Sequence, residues 1–324
     1  MSLRASLSPT SGSRVRPRGE GSLGDRLLRA LCIGGALIAA ATLVAVVYQI
    51  IDGASPALSR YGLGFLIHSE WAANLLKFGA LPMLLGGAEI ALIALAIAVP
   101  VSLAIAIYLS MLAPRVVRAI IGPLVEMLAA IPSVILGFWG VIFFAPVVQN
   151  TIEPALHGVL GFLPIFGAVQ TTGLSVFTGG VIVTIMVVPI IASLSRDLFL
   201  SVPSELKDGA EALGATQWEV IRGVVFPMTF SGVSAAVMLG LGRALGEAIA
   251  VAAVIGGGSV AHASLFEPGN TPAARIALEI QYIENPQQRA SLFYLALILL
   301  VVGLLVNVLA RAIGRRYDIA RTVA

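Results

Sequence analysis

The chain has 324 residues, of which 58% are hydrophobic and 11% charged, and its mean hydropathy is +0.97. Soluble domains carry roughly 25% charged residues, so this composition excludes a water-soluble fold, and the apolar content excludes intrinsic disorder. The net charge of +3 comes with a single cysteine, Cys32, and three dispersed histidines, His68, His157 and His262, which excludes a disulfide framework and a Cys-based metal site.

The elements follow from apolar run lengths, since a membrane-crossing helix needs about 20 mostly apolar residues. Residues 1–29 are rich in Ser, Arg, Gly and Pro and read as a disordered basic tail, leaving 30–324 as one membrane domain. The first span is expected over Leu31–Ile51, between Arg29 and Asp52. Its basic leader resembles a signal peptide, but the apolar run exceeds the usual ~7–15 residues and no A-x-A site follows. The second span is expected over Ile90–Leu112, closed by Pro114 and Arg115, and the third over Ile120–Phe144, kinked at Pro132 and charged only at Glu126. Residues 154–195 hold no Asp, Glu, Lys or Arg. Gly158, Gly161, Pro164 and Gly167 break up the first part, so 155–168 reads as interfacial or re-entrant and Leu174–Leu194 as the fourth span, kinked at Pro189. The fifth and sixth spans are Val233–Ile255 and Leu292–Leu309. The fold class is therefore all-α integral membrane, with six transmembrane helices.

Orientation follows from the basic residues. With the amino terminus inside, 15 of the 20 Lys and Arg lie on cytoplasmic segments, four (Arg60, Lys77, Arg275, Arg289) lie outside, and Arg243 remains in a span. This agrees with the positive-inside rule and places both termini in the cytoplasm.

A phosphate-cradling G-x-x-x-x-G-K-[ST] loop needs a Gly-Lys pair, and the only lysines, Lys77 and Lys207, each follow a leucine. Neither H-E-x-x-H nor G-x-S-x-G occurs. The chain reads as a non-catalytic membrane protein without a cofactor, and any energy-converting or substrate-capturing module belongs to another polypeptide. The lack of inverted repeats and of clustered carboxylates in the spans argues against a stand-alone secondary transporter.

The longest cytoplasmic loop, 196–227, has clear helix punctuation. Ser201 or Ser204 can cap a short helix with Pro203 in its first turn. Leu206, Ala210 and Leu213 share one face, Glu205, Asp208 and Glu211 the other, and Gly214 ends the helix. Thr216-Gln217-Trp218-Glu219 forms a capping box that starts a second helix, stopped at Pro227. Two short helices meeting at a glycine make a knob suited to a partner's groove, or an amphipathic loop resting on the bilayer.

The run Asp208-Gly209-Ala210, Gly214 and Val224-Val225-Phe226-Pro227 resembles the EAA loop of ABC importer permeases, E-A-A-x3-G-x9-I-x-L-P, with Asp for Glu and Gly209 for the first Ala. Phe78-Gly79-Ala80-Leu81-Pro82, Leu128-Ala129-Ala130-Ile131-Pro132-Ser133 and Gly242-Arg243-Ala244-Leu245-Gly246-Glu247-Ala248 are similar to the PstC-type permeases of bacterial phosphate importers. The resemblance implies a type I ABC importer permease (MetI-like) fold in the bacterial inner membrane. It also implies a PstA-type permease partner, a PstB-type ATPase dimer, a PstS-type phosphate-binding protein and inorganic phosphate as cargo, with lipid around it and no nucleic acid. Asp208, Gly209, Ala210, Gly214 and Pro227 would then form the ATPase-coupling loop. Permeases for sulfate or molybdate are the nearest rival.

Arg243 lies about 15 Å into a core about 30 Å thick, where a charge costs at least ~2.5–3.5 kcal/mol. Glu247 follows one turn on, in the weaker order for an i,i+4 pair. The two either neutralise each other or serve the translocation path, where Arg243 would offer its planar fork to an oxyanion and Glu247 would hold it in place. Gly242 and Gly246 form a G-x-x-x-G ridge for close helix packing. Glu126, near the cytoplasmic end of span three, is a third path candidate or an interfacial carboxylate.

Overall fold

A computed structural model describes residues 23–316 of the chain, and of 313–316 the backbone alone. Most of the basic tail expected over 1–29 lies outside the described residues, and its last part, 23–29, is already helical. The described residues divide into two units, one ending at Gln49 and one beginning at Ile50. The first unit is the leading part of helix α1, Leu23–Tyr61. Its side chains are almost all exposed, as suits an apolar helix bathed in lipid.

The second unit continues α1 and adds α2 (Leu81–Ile107), α3 (Arg115–Ala129), α4 (Ser133–Leu160), α5 (Val176–Ser201), α6 (Ser204–Ala212), α7 (Gln217–Gly246), α8 (Ile249–Val254), α9 (Pro272–Glu279) and α10 (Pro286–Arg316). Among the described residues there is no named strand, and six helices are long and apolar enough to cross a membrane.

Helix α5 is the most enclosed of the six, with 67% of its most apolar stretch buried. Ile90, Ala94 and Ala98 of α2 pack against Val183, Val187 and Ile191 of α5, joined by Ala244 of α7 and Val251 of α8. Without a water-driven force between helices in lipid, close approach over small residues supplies the packing. A Cβ on Gly180 would stand 2.6 Å from Cγ2 of Ile93, and one on Gly240 would stand 2.8 Å from Ile191 and Val187 side-chain carbons.

The third crossing departs from expectation in three ways. The chain does not kink at Pro132 within one helix but breaks, with Pro132 extended at ψ 135° as the N-cap of α4. Proline cannot donate to the preceding turn and pushes its predecessor out of helical geometry. Helix α4 then runs on to Leu160, beyond the predicted end at Phe144, through π turns at Gly140–Phe144 and Val148–Ile152. The reading of 155–168 as one interfacial or re-entrant piece separate from the third span is corrected in its bounds: 155–160 complete α4, and a single 3-10 turn, Pro164–Phe166, follows.

Helices α3 and α4 run antiparallel to α5 along its length. Glu126 meets Arg196 near one end, a Cβ on Gly140 would touch Ile182, and Glu153 meets Ser175 at the other end. The expected kink residue Pro189 lies within α5, which continues through it; Ser193 donates to the Pro189 carbonyl at 2.8 Å.

At the end of the molecule opposite α6, Tyr61, Phe65, Trp71, Phe78 and Tyr294 pack ring against ring, with Phe65 and Tyr294 stacked at 4.6 Å. The loops there are tied by backbone bonds, Phe177 N–H to the Leu265 carbonyl at 2.8 Å and Leu265 N–H to that of Ile165 at 2.9 Å.

Candidate functional site

The fifth crossing was expected to be one helix over Val233–Ile255. Instead α7 begins at Gln217, ends at Gly246, and is followed by a break and the short helix α8. Glu247 occupies the break with extended backbone, φ −72° and ψ 120°. Arg243 is in the last turn of α7, so the two are not stacked on a continuous helix. They meet nonetheless, Arg243 Nη2 lying 3.2 Å from Glu247 Oε2.

The pair is lopsided. The Glu247 side chain is 6% exposed and that of Arg243 45%. The other carboxylate oxygen accepts the Ala250 N–H at 3.3 Å, closing the first turn of α8. One carboxylate therefore holds the guanidinium from behind and joins both sides of the break, while the guanidinium retains an open side. An arginine so held can present donors to an anion without being fully neutralised. A Cβ on Gly242 or on Gly246 would meet no atom within 4 Å, so the expected close packing of that ridge is not made by the described part of this chain.

Glu126 does not join this pair. Its Oε1 accepts from Arg196 Nη2 at 2.8 Å, and Arg196 also bonds Asp197 at 2.9 Å. With Glu126 53% exposed, the bridge ties α3 to α5.

Two further acidic residues in the crossing helices are withdrawn from the surface. Glu89 is half-buried in α2, and Glu153 is fully buried near the end of α4, accepting from the Gln170 N–H at 3.3 Å and lying 3.5 Å from the Ser175 hydroxyl. Both fall outside the spans read from the sequence, Glu89 one residue before Ile90 and Glu153 nine residues beyond Phe144. For Glu89 the signal was the apolar, Ala-rich helix-forming run that follows it; around Glu153, Pro146 and Pro154 hid the continuation of the helix. Among the described residues, no three His, Cys, Asp or Glu are grouped so as to hold a metal.

The knob contains two helices, though its punctuation differs in part. Pro203 itself is the N-cap of α6, with no side-chain cap from Ser201 or Ser204. Gly214 takes φ +90°, a left-handed geometry that glycine reaches without a Cβ clash, and the capping box forms in full, with Thr216 and Glu219 each bonding the other's backbone N–H. Pro227 does not stop the second helix. A π turn over Ile221–Val225 precedes it, and the missing N–H is absorbed at the start of the next α segment.

Ala210 packs against the cluster of Phe199, Val202, Val220 and Val225, which anchors the knob. Asp208 and Gly209 are exposed. The predicted apolar face is thus divided: Ala210 packs inward, while Leu206 is 45% and Leu213 92% exposed, joined on the surface by Trp218 of the second helix at 64%.

Residues 98–319 match the family model described as binding-protein-dependent transport system inner membrane component. The chain is 40% identical over 307 residues to the phosphate transport system permease protein PstC of Mesorhizobium japonicum, covering 94% of this chain and 93% of that protein. It is 42% identical over 279 residues to the protein of the same name from Haemophilus influenzae, covering 85% and 88%. Among solved structures, it shares the fold of a chain in the crystal structure of a bacterial alginate ABC transporter in complex with alginate pentasaccharide-bound periplasmic protein. There the TM-score is 0.58 at 16% identity, over 91% of this chain and 98% of that one.

Proposed function

The chain belongs to the inner membrane components of binding-protein-dependent transport systems, and on that premise we propose that it is the PstC-type permease subunit of an ATP-driven phosphate importer. The names of its full-length relatives support phosphate over sulfate or molybdate. In this reading the chain conducts and does not catalyse. A PstB-type ATPase dimer hydrolyses ATP, a PstA-type permease completes the path and a PstS-type protein delivers phosphate, with both termini of this chain in the cytoplasm.

The observation that carries the mechanism is Arg243, half-open beside a break in a membrane helix and backed by a buried carboxylate. Broken helices recur at midplane substrate sites because non-helical backbone is tolerated there only where it lines a cavity or is buried in protein. Arg243 offers its free N–H groups to the tetrahedral anion, and Glu247 keeps the guanidinium aimed while moderating its field so that the anion can leave. Proton acceptance by Glu247 from phosphate is the finer version of this role. Glu126, paired to Arg196, contributes to the path by fixing α3 against α5 rather than by touching the anion.

The knob around Asp208, Gly209, Ala210, Gly214 and Pro227 supplies the coupling surface, its exposed Leu213 and Trp218 filling a groove on the ATPase. Labelled-phosphate uptake by the reconstituted complex tests the assignment. Uptake that requires ATP and the binding protein supports it; accumulation against a gradient without nucleotide would overturn it.

A further inference from the structure

Four basic residues lie toward the end of the molecule away from the knob: Arg60, Lys77, Arg275 and Arg289. Two are neutralised within the chain, Lys77 by Glu70 at 2.9 Å and Arg275 by Glu279 at 2.7 Å. Arg60 and Arg289 form no ion pair among the described residues. Each guanidinium instead rests over an aromatic ring, Arg60 over Tyr61 at 5.5 Å and Arg289 over Phe293 at 5.9 Å. Such stacking holds the cation in place while leaving its N–H groups free to donate.

Arg60 lines the junction of α1 and α10, and Arg289 adjoins it through Phe293, the ring on which it stacks. The ring of Phe293 lies where a Cβ on Gly53 would stand, 2.6 Å from Cγ, so the two helices touch there. Beyond that contact they part around a cavity of about 180 Å³ lined by Pro56, Ala57, Arg60 and Tyr61 of α1 and Pro286, Gln287 and Ala290 of α10. Its walls are mostly apolar. At about 1.5 Å per residue, Arg289 stands roughly 4.5 Å and Gln287 roughly 7.5 Å beyond the apolar stretch that starts at Leu292. That is the depth of lipid headgroups flanking a core about 30 Å thick.

We propose that this groove binds an anionic phospholipid, its phosphate diester taken by Arg60 and Arg289 and an acyl chain laid along Pro56, Ala57 and Ala290. Charge complementarity selects the occupant: two unpaired guanidiniums beside an apolar wall at headgroup depth suit a ligand with an anionic head and an apolar tail. The site rests on α1 and α10 crossing the membrane and does not depend on phosphate being the cargo.

Native mass spectrometry of the purified importer complex in neutral detergent, titrated with phosphatidylglycerol or phosphatidylcholine, reads the occupancy directly. Phosphatidylglycerol is expected to be retained in preference to phosphatidylcholine. Arg60→Gln or Arg289→Gln should each weaken that retention roughly tenfold, the effect of losing a hydrogen bond to a charged group. Lys77→Gln, at the same end but paired with Glu70 and not among the groove's lining residues, should leave it unchanged, and inorganic phosphate should not displace the lipid. Equal retention of the two lipids, wild-type affinity in both arginine variants, or displacement by inorganic phosphate would overturn the proposal, the last by making the arginines a free-phosphate site. Phosphate uptake measured on the same preparations separates the readings, since a complex that binds the lipid but moves no phosphate would sink the transport assignment alone.

Discussion

Replacing Arg243 by glutamine removes the open guanidinium and leaves Glu247, 6% exposed, with the Ala250 N–H at 3.3 Å as its remaining bond. Breaking a fully buried ion pair costs about 3–5 kcal/mol, and an exposed pair is worth about 0–1. With Arg243 45% exposed the stability loss should fall between, at about 1–2 kcal/mol. The transport loss should be larger, because a hydrogen bond to a charged group contributes about 1.5–3 kcal/mol, equivalent to a rate drop of roughly 10- to 150-fold. Glu247→Gln should be milder in both respects, since the amide oxygen can still accept from Ala250 and no buried charge is stranded. The double variant Arg243→Gln/Glu247→Gln should therefore regain membrane abundance without regaining uptake. The assay is labelled-phosphate uptake normalised to assembled complex. Normal uptake by Arg243→Gln, or its recovery in the double variant, would show that the pair is only a structural clamp.

Leu213→Asp alters a side chain that is 92% exposed, so the chain should fold normally but co-purify with several-fold less ATPase; undiminished recovery would remove the knob from the coupling surface. Gly240→Val would thrust a branched side chain into Ile191 and Val187, so overpacking should cost about 1–3 kcal/mol and lower the thermal midpoint of the purified chain. Gly242→Val meets open space within this chain, so it should spare that midpoint and reduce recovery of the second permease. The Lys77 ammonium, 2.9 Å from Glu70, holds that carboxyl below its ordinary range. The small stabilisation from this exposed pair is present above the ordinary carboxylate value and is lost as pH falls through the lowered one. Lys77→Gln should move the Glu70 titration, followed by the carboxyl NMR shift, back upward.

The sequence was most readable where a rule acts through one or two residues. Gly214 and the Thr216–Glu219 box marked the knob because a left-handed cap and a reciprocal cap need those residue types. Apolar run length located all six crossings but misplaced their ends, since a charged residue closes a hydropathy window without closing a helix. Glu89 lies inside α2 for that reason, whereas the third run was closed at Phe144, ahead of Pro146, although α4 continues through Glu153. Proline was read as a stop at 227 and as a kink at 132, and both readings failed through the surrounding backbone: a π turn absorbed the first, and the second became the start of a new helix. The break after Gly246 had no proline to announce it. Its extended residue is held by near neighbours in the chain, the guanidinium of Arg243 and the N–H of Ala250, and the i,i+4 spacing of Arg243 and Glu247 fits an unbroken helix equally well. Arg196 escaped notice as the partner of Glu126 because the two are 70 residues apart.

The two interruptions lie at related depths. Along α5, Gly122 and Glu126 reach Arg196 while Gly140 reaches Ile182, so the break at 130–132 falls opposite the middle of that helix, where Pro189 also lies. Gly240 abuts Val187 and Ile191 in the same stretch, which puts Arg243 close to that level. Beyond the breaks the continuing segments pack together, a Cβ on Gly137 falling 2.9 Å from Ala250 Cα and one on Gly140 2.8 Å from Val254 Cγ1. Interrupted backbone is costly in hydrocarbon, because each unpaired amide or carbonyl there lacks water. Two interruptions near the half-open guanidinium of Arg243 are least costly when all three share one polar region. A path for an oxyanion supplies such a region, and a purely structural Arg243–Glu247 pair leaves the break in α3–α4 without a reason to sit where it does.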